Sequence, residues 1–231
     1  MSAKARWHMA LGMVAGLALL AACAGALYWL LLPERFPVSE VEVKGKLNNT
    51  TRAEIEKALP RASGNFFAVD LAEIRSAVER LPWVRRVAVR RVWPARLELF
   101  VEEHVALARW GDDALVNTHG ERFQARTQES LPWFVAPVGT SAEVTRRYRR
   151  FAAIVAPLGT GIERIVLTQR HAWQVRLGNG LHVMLGRDAD LAEARLRRFV
   201  EIYPGVRKAE HEYVDLRYPN GFALRLADGN G

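Results

Sequence analysis

Along the chain, apolar and polar positions follow two different rhythms. Residues 9–32 read MALGMVAGLALLAACAGALYWLLL, 24 positions without a charged side chain. As a helix rising about 1.5 Å per residue, this run spans roughly 36 Å, enough to cross a hydrocarbon core of about 30 Å with some tilt. The other 199 residues contain no comparable run and break into short alternating segments. The pattern predicts a tail (1–8), a transmembrane helix (9–32), a linker (33–37) and one large folded region on a single side of a membrane. Lys4 and Arg6 put the tail in the cytosol and residues 33–231 outside it, because cations near a spanning end favour the cytoplasmic face. Tyr28 and Trp29 suit the outer interface.

A rival pattern overlaps the run. Leu20-Ala21-Ala22-Cys23 resembles a bacterial lipobox, and the segment before it would pass as a signal peptide. The apolar stretch continues nine residues past Cys23, where a lipoprotein linker is polar. An intact anchor is therefore expected, and both readings export the rest of the chain.

Beyond the two-proline linker PERFP, residues 38–45 alternate. Val41 and Val43 take one face, and Glu40, Glu42 and Lys44 the other, as in a half-buried strand. Thr51 with Glu54 fits a capping box opening a helix that Pro60 ends, and Asp70 can cap a second helix over 71–80. Two alternating segments follow, one around Val87 and Val89, the other around Leu97, Leu99 and Val101, joined by a turn at Trp93-Pro94-Ala95. The order strand, helix, helix, strand, strand makes a compact module whose helices cover one sheet face.

The second half mixes strands and helices. Strands are expected at 106–110, 114–116, 162–167, 173–177, 181–185, 213–217 and 221–226, and 133–138 fits strand or loop. A helix over 143–155 ends at Pro157. Another, over 191–203, is capped by Asp190 and closed by Pro204-Gly205. Gly178-Asn179-Gly180 is a hairpin signal.

Half the residues are hydrophobic and a quarter charged, the composition of a folded exterior. The lone Cys23 excludes an intrachain disulfide, so core burial must hold the fold. Net charge is +8; two of the 33 cations and no acid lie in residues 1–32, leaving 31 cations against 25 acids outside. Nucleic acid is not expected there, and the paired arginines, such as Arg85-Arg86 and Arg197-Arg198, read as a solvated face near phospholipid.

The segment VSEVEVKG from Val38, two short helices, and LPWVRRVAVRRVWPARLELFVEE from Leu81 together resemble a POTRA domain of the FtsQ/DivIB cell-division family. Ala106-Leu107-Ala108-Arg109-Trp110 resembles the exit from that module. Trp173-Gln174-Val175-Arg176-Leu177, Val183-Met184-Leu185-Gly186-Arg187, Arg198-Phe199-Val200-Glu201-Ile202-Tyr203-Pro204 and Tyr213-Val214-Asp215-Leu216-Arg217-Tyr218 are similar to the same family, in its order. The resemblance implies an α+β fold: a transmembrane helix, a POTRA (β-α-α-β-β) domain over 38–105 and a β-rich domain over 106–231. It also implies a single-pass inner-membrane protein with its C-terminal region in the periplasm at the division septum.

No catalytic set is legible. There is no G-x-S-x-G, H-E-x-x-H, phosphate loop or G-x-G-x-x-G, and the six histidines lack metal-ligand spacing. No enzyme activity, cofactor, metal or small-molecule substrate is expected, so function should reside in surfaces. A terminal strand at a sheet edge offers unpaired backbone groups to another chain. In residues 213–217, Val214 and Leu216 would share one face, with Tyr213, Asp215 and Arg217 on the other.

The resemblance adds partners, FtsB and the FtsL bound to it, with other division proteins also in reach. It carries over Ile202 and Val206 as apolar contacts, Arg217 as the mate of a partner acid and Tyr218 as the aromatic anchor. Asn220 and Gly221 make close backbone contact, and Arg170 offers a second ion pair. Pro219 departs from the family's usual pattern and lacks a donor. The implied role is a scaffold that helps control septal cell-wall synthesis. Two other classes compete: a POTRA-type transport or chaperone component, which should carry a barrel, and an anchored cell-wall enzyme, which should carry convergent acids or a metal.

Overall fold

The computed structural model describes residues 3–30, 32, 36–60, 65–206, 211–218 and 221–226; the side chains of 3–6, 9, 10 and 206 fall outside that description. The chain forms two compact units, Met1–Glu103 and His104–Gly231.

The first unit begins with helix α1, Ala3–Leu30. Its segment Leu11–Leu30 is long and apolar enough to cross a membrane, and none of it is buried by the rest of the protein. Strand β1 (Glu40–Lys44), helices α2 (Arg52–Ala58) and α3 (Leu71–Val78), and strands β2 (Val84–Val92) and β3 (Arg96–Glu103) follow. The sheet order is β1-β3-β2, with β1 parallel and β2 antiparallel to the central β3.

Alternation explains the core. Leu97, Leu99 and Val101 of β3 point to one face and pack with Val43, Ile55, Ile74, Val78, Val84 and Val87. The opposite face carries a cross-strand charge ladder. Glu98, 5% exposed, accepts from Lys44 Nζ at 3.0 Å and from Arg90 Nε at 2.6 Å. A buried carboxylate persists because both cations satisfy it.

Capping is local and follows the sequence. Thr51 and Glu54 form the reciprocal capping box of α2, and Asp70 accepts from the N–H groups of Ala72 and Glu73 to open α3. One cap is distant. The Glu103 carboxylate, at the end of β3, accepts from the backbone N–H groups of Asn48, Asn49 and Thr50, ordering the loop before α2. Gly45 sits at φ +134°, where a Cβ would overlap the Val101 carbonyl oxygen, so glycine alone fits beside β3.

The second unit holds β4 (Ala106–Trp110), β5 (Ala114–Asn117), β6 (Arg122–Phe123), β7 (Trp133–Val135), α4 (Ser141–Val155), β8 (Ile162–Leu167), β9 (Trp173–Leu177), β10 (His182–Gly186), α5 (Ala189–Val206), β11 (His211–Asp215) and β12 (Ala223–Leu226). The strands form a nine-stranded sheet in the order β12-β11-β10-β9-β8-β7-β4-β5-β6. Helices α4 and α5 pack on each other and on β8 and β10, respectively. Phe134, Phe151, Trp173, Leu185 and Phe199 are fully buried in one core.

Several expectations change in this unit. The 133–138 segment is a three-residue strand, paired in parallel with both β4 and β8, so strand wins over loop. The cap of α5 is Asp188, whose Oδ1 accepts from the N–H groups of Asp190 and Leu191 at 3.0 and 2.9 Å. Asp190 instead meets Arg147 of α4 at 2.9 Å. Pro204 does not close α5; the helix continues to Val206, with Pro204 in its last turn. There, proline removes a single backbone hydrogen bond, and buried Tyr203 beside it holds the turn against the core. Beyond α4, Pro157 lies in a short 3-10 turn, Ala156–Leu158, so it tightens the chain past the helix. The strand expected over 213–217 runs over His211–Asp215 instead.

Candidate partner-binding site

The late strands present the site. β11 runs parallel to β10, in the register Val183↔Val214 and Met184↔Asp215, and the Leu216 N–H extends the pairing to the Met184 carbonyl at 2.9 Å. β12 returns antiparallel along β11 and lies last in the sheet order. Among the described residues, no strand pairs with its outer side. Ala223, Arg225 and Leu226 are exposed and Leu224 is half-buried. Among the described residues the border is therefore an open strand edge, the arrangement that accepts an added strand.

Beside it, the sequence Asp215-x-Arg217 folds back on itself. The Asp215 carboxylate accepts from Arg217 Nε at 2.8 and 3.0 Å, from Arg217 Nη2, and from the Arg217 backbone N–H at 3.0 Å. Asp215 is only 6% exposed. Asp215 is buried like Val214 and Leu216, although alternation puts it on the opposite face with Arg217, because the Arg217 side chain expected beside it pairs with its carboxylate. The Arg217 hydrogen bonds hold the Asp215 carboxyl below the usual carboxylate range, burial opposing them. Asp215 in turn raises Arg217 above its ordinary value. The guanidinium is fixed in direction by Asp215 yet remains largely exposed.

Arg217 also lines a cleft of about 800 Å³ with Arg170, Arg187, Arg195 and Gly186. Four guanidinium groups border one open cavity, and planar forks of this kind suit carboxylates. The sequence reading named Arg170 and Arg217; the structure brings both to the same cleft. It missed Arg187 and Arg195, and it missed Asp215 as the group that orients Arg217. Arg187, directly after the strand at Gly186, was the legible signal. Gly186 (φ +91°) has the Arg217 Cγ and Arg195 Nη1 at 3.4 and 3.5 Å from where a Cβ would stand.

The other named residues fall as follows. Tyr218, at the bend after Arg217, is 56% exposed. Gly221 is exposed on the approach to β12. Ile202 is 40% exposed on α5, while its neighbour Tyr203 is buried with its hydroxyl 3.4 Å from His211 Nδ1 of β11. That contact couples the end of α5 to the strand pair. Asn220, the Pro219 beside it and the Val206 side chain lie outside the described residues. On β12, Arg225 stacks on the Tyr213 ring at 5.2 Å and meets Glu212 at 3.4 Å, which fills the β11 surface beside the border. Among the described residues, no group of three or more His, Cys, Asp or Glu is placed to hold a metal.

Residues 108–217 match the family model described as cell division protein FtsQ/DivIB, C-terminal, and residues 36–104 match the FtsQ-type POTRA domain. Cell division protein FtsQ of Burkholderia pseudomallei is 40% identical over 229 residues, covering 95% of this chain and 92% of that protein. The protein of the same name from Nitrosospira multiformis is 40% identical over 206 residues, covering 85% and 86%. That of Neisseria gonorrhoeae is 38% identical over 216 residues, covering 91% and 88%.

Proposed function

Because the chain belongs to the FtsQ/DivIB family of cell-division proteins, we propose that it is a non-enzymatic scaffold that binds FtsB, and through it FtsL, at the septum and helps control septal cell-wall synthesis. In this reading α1 crosses the inner membrane once, residues 1–8 are cytoplasmic, and residues 38–105 and 106–231 form two periplasmic domains. The observation that carries it is the open side of β12 at the end of a nine-stranded sheet. An extended FtsB segment would pair there through backbone hydrogen bonds, which give affinity with little demand on sequence. Acidic side chains of that segment would enter the arginine cleft at Arg170 and Arg217, and Tyr218 would supply the apolar anchor.

The test is titration of the full chain in nanodiscs with the extracytoplasmic part of FtsB. Neighbouring strand residues direct their N–H groups to opposite sides. Of Leu224→Pro and Arg225→Pro, one therefore removes an outward donor and the other breaks the β11 ladder. The outward change should abolish binding while lowering thermal stability less than its neighbour does. Full binding by both variants overturns strand addition, and no binding by the unaltered chain overturns the partner.

A further inference from the structure

The first unit carries aromatic surface that the docking site does not use. Trp93 is 76% exposed at the turn between β2 and β3, and Phe67 is 42% exposed in the loop before α3. Both belong to structure tied to the end of α1. Asn65, 1% exposed, donates from Nδ2 to the carbonyl oxygens of Leu30 at 2.6 Å and Leu32 at 2.9 Å, while its Oδ1 accepts from the Phe67 N–H at 2.8 Å. The same side chain thus satisfies carbonyls left open at a helix C-terminus and shapes the loop that presents Phe67. The Phe66 N–H adds a bond to the Phe36 carbonyl at 2.6 Å, and the Phe67 ring meets the rings of Phe36 and Phe66 edge-on at 5.4 and 5.2 Å.

The β2–β3 turn is fastened to that loop from the other side. Arg91 Nε donates to the Phe66 carbonyl at 2.8 Å, and its Nη2 donates to the Val69 carbonyl at 2.6 Å. The Ser39 N–H donates to the Ala95 carbonyl at 2.8 Å, and Pro37 bridges to Asn65. Phe67, two residues from the latch, can lie no more than about 7 Å along the chain from it. The interfacial zone outside each face of the hydrocarbon core is itself about 5–8 Å deep. Aromatic rings favour that zone.

We propose that Phe67 and Trp93 form a platform that rests in the phospholipid interface, so that the first unit lies against the bilayer instead of hanging from a free linker. The partner is the lipid surface itself, because Asn65, which shapes the Phe67 loop, is hydrogen-bonded to the end of the segment that would cross it. This inference rests on the reading of α1 as a spanning helix.

Depth measurements on the full chain in nanodiscs of phosphatidylethanolamine and phosphatidylglycerol test both separately. A nitroxide on native Cys23 reports on the helix. Nitroxides at Trp93→Cys, Phe67→Cys and Asn49→Cys, each in a Cys23→Ser background, report on the unit. Asn49 sits at the far end of β3, where its N–H bonds Glu103, and serves as the aqueous reference. At 93 and 67, oxygen should relax the label more than nickel-EDDA does, and at 49 the reverse. Water-like labels at 93 and 67 with a lipid-like Cys23 overturn the platform alone. A water-like Cys23 overturns the spanning reading and the platform with it. Since a nitroxide is itself apolar, a label at Pro37→Cys should lose its interfacial ratio when Phe67→Ser and Trp93→Ser are combined. An unmoved label there also overturns the platform.

Discussion

Tyr218→Ala tests the site at its most specific point. The side chain is 56% exposed in the unbound protein. A tyrosine presents about 200 Å² in all, so roughly 110 Å² remains for a partner to cover. At about 25 cal/mol per Å² that is close to 3 kcal/mol, and alanine retains part of it, leaving about 2 kcal/mol. The expected change in Kd for the extracytoplasmic part of FtsB is roughly 30-fold, mostly in the dissociation rate. Tyr218→Phe keeps the ring and should stay within about threefold, because the hydroxyl contributes at most one exposed hydrogen bond. Calorimetric titration, with biolayer kinetics for the off-rate, reads both. Tyr218 has little buried area to lose, so the melting temperature should hold. An alanine variant that binds within about threefold of the native chain would refute the anchor role, leaving the β12 border to be judged on its own.

Three further outcomes follow from the geometry. Asp188→Ala should lower unfolding free energy by about 1 kcal/mol in urea through loss of the α5 cap, whereas Asp190→Ala, removing an exposed ion pair, should change it by less than about 0.5 kcal/mol. Asp215, Glu98 and Glu103 are all held below the usual carboxylate range: the first by the Arg217 side chain, the second by Lys44 and Arg90, and the third because burial, the largest single influence, is outweighed by the combined hydrogen bonds of the 48–50 loop. Folded values below unfolded ones mean their stabilisation is complete above the ordinary range near pH 4 and disappears as pH falls through the folded values. Melting temperature should therefore stay flat from pH 7 to about 5 and drop below about 4, and Asp215→Asn should soften that acid limb. Gly186→Ala places a side chain at φ +91°, and chemical denaturation should show a loss of about 1–3 kcal/mol.

Much of the fold was legible because its signals are local. The apolar run defines α1 without reference to anything else. The Thr51 box and the Asp70 cap act within three residues of themselves, and alternation at Leu97, Leu99 and Val101 assigns a face whatever the partner strand is. Of the proposed docking border, the chain itself offered only a late strand suited to a sheet edge; Arg217 and Tyr218 were implied by the family resemblance and not by a local pattern. That Asp215 aims Arg217 depends on how the chain bends after β11, although the two stand only two residues apart. Alternation put Asp215 and Arg217 on one face but says nothing of whether that face is buried.

By itself, the sequence determined the membrane-length segment, the helices and most of the strands, since propensity, periodicity and capping depend on neighbours within a turn or two. The tertiary structure alone decided which of two nearby aspartates caps α5, because only the packing of α4 brings Arg147 to Asp190. It also decided that Glu103 serves a loop more than fifty residues earlier, that β7 joins β4 to β8, and that Arg170, Arg187, Arg195 and Arg217 border one cleft. Such pairings join residues far apart in the chain. No local pattern encodes them, and they arise only when the apolar faces of the strands and helices are buried together.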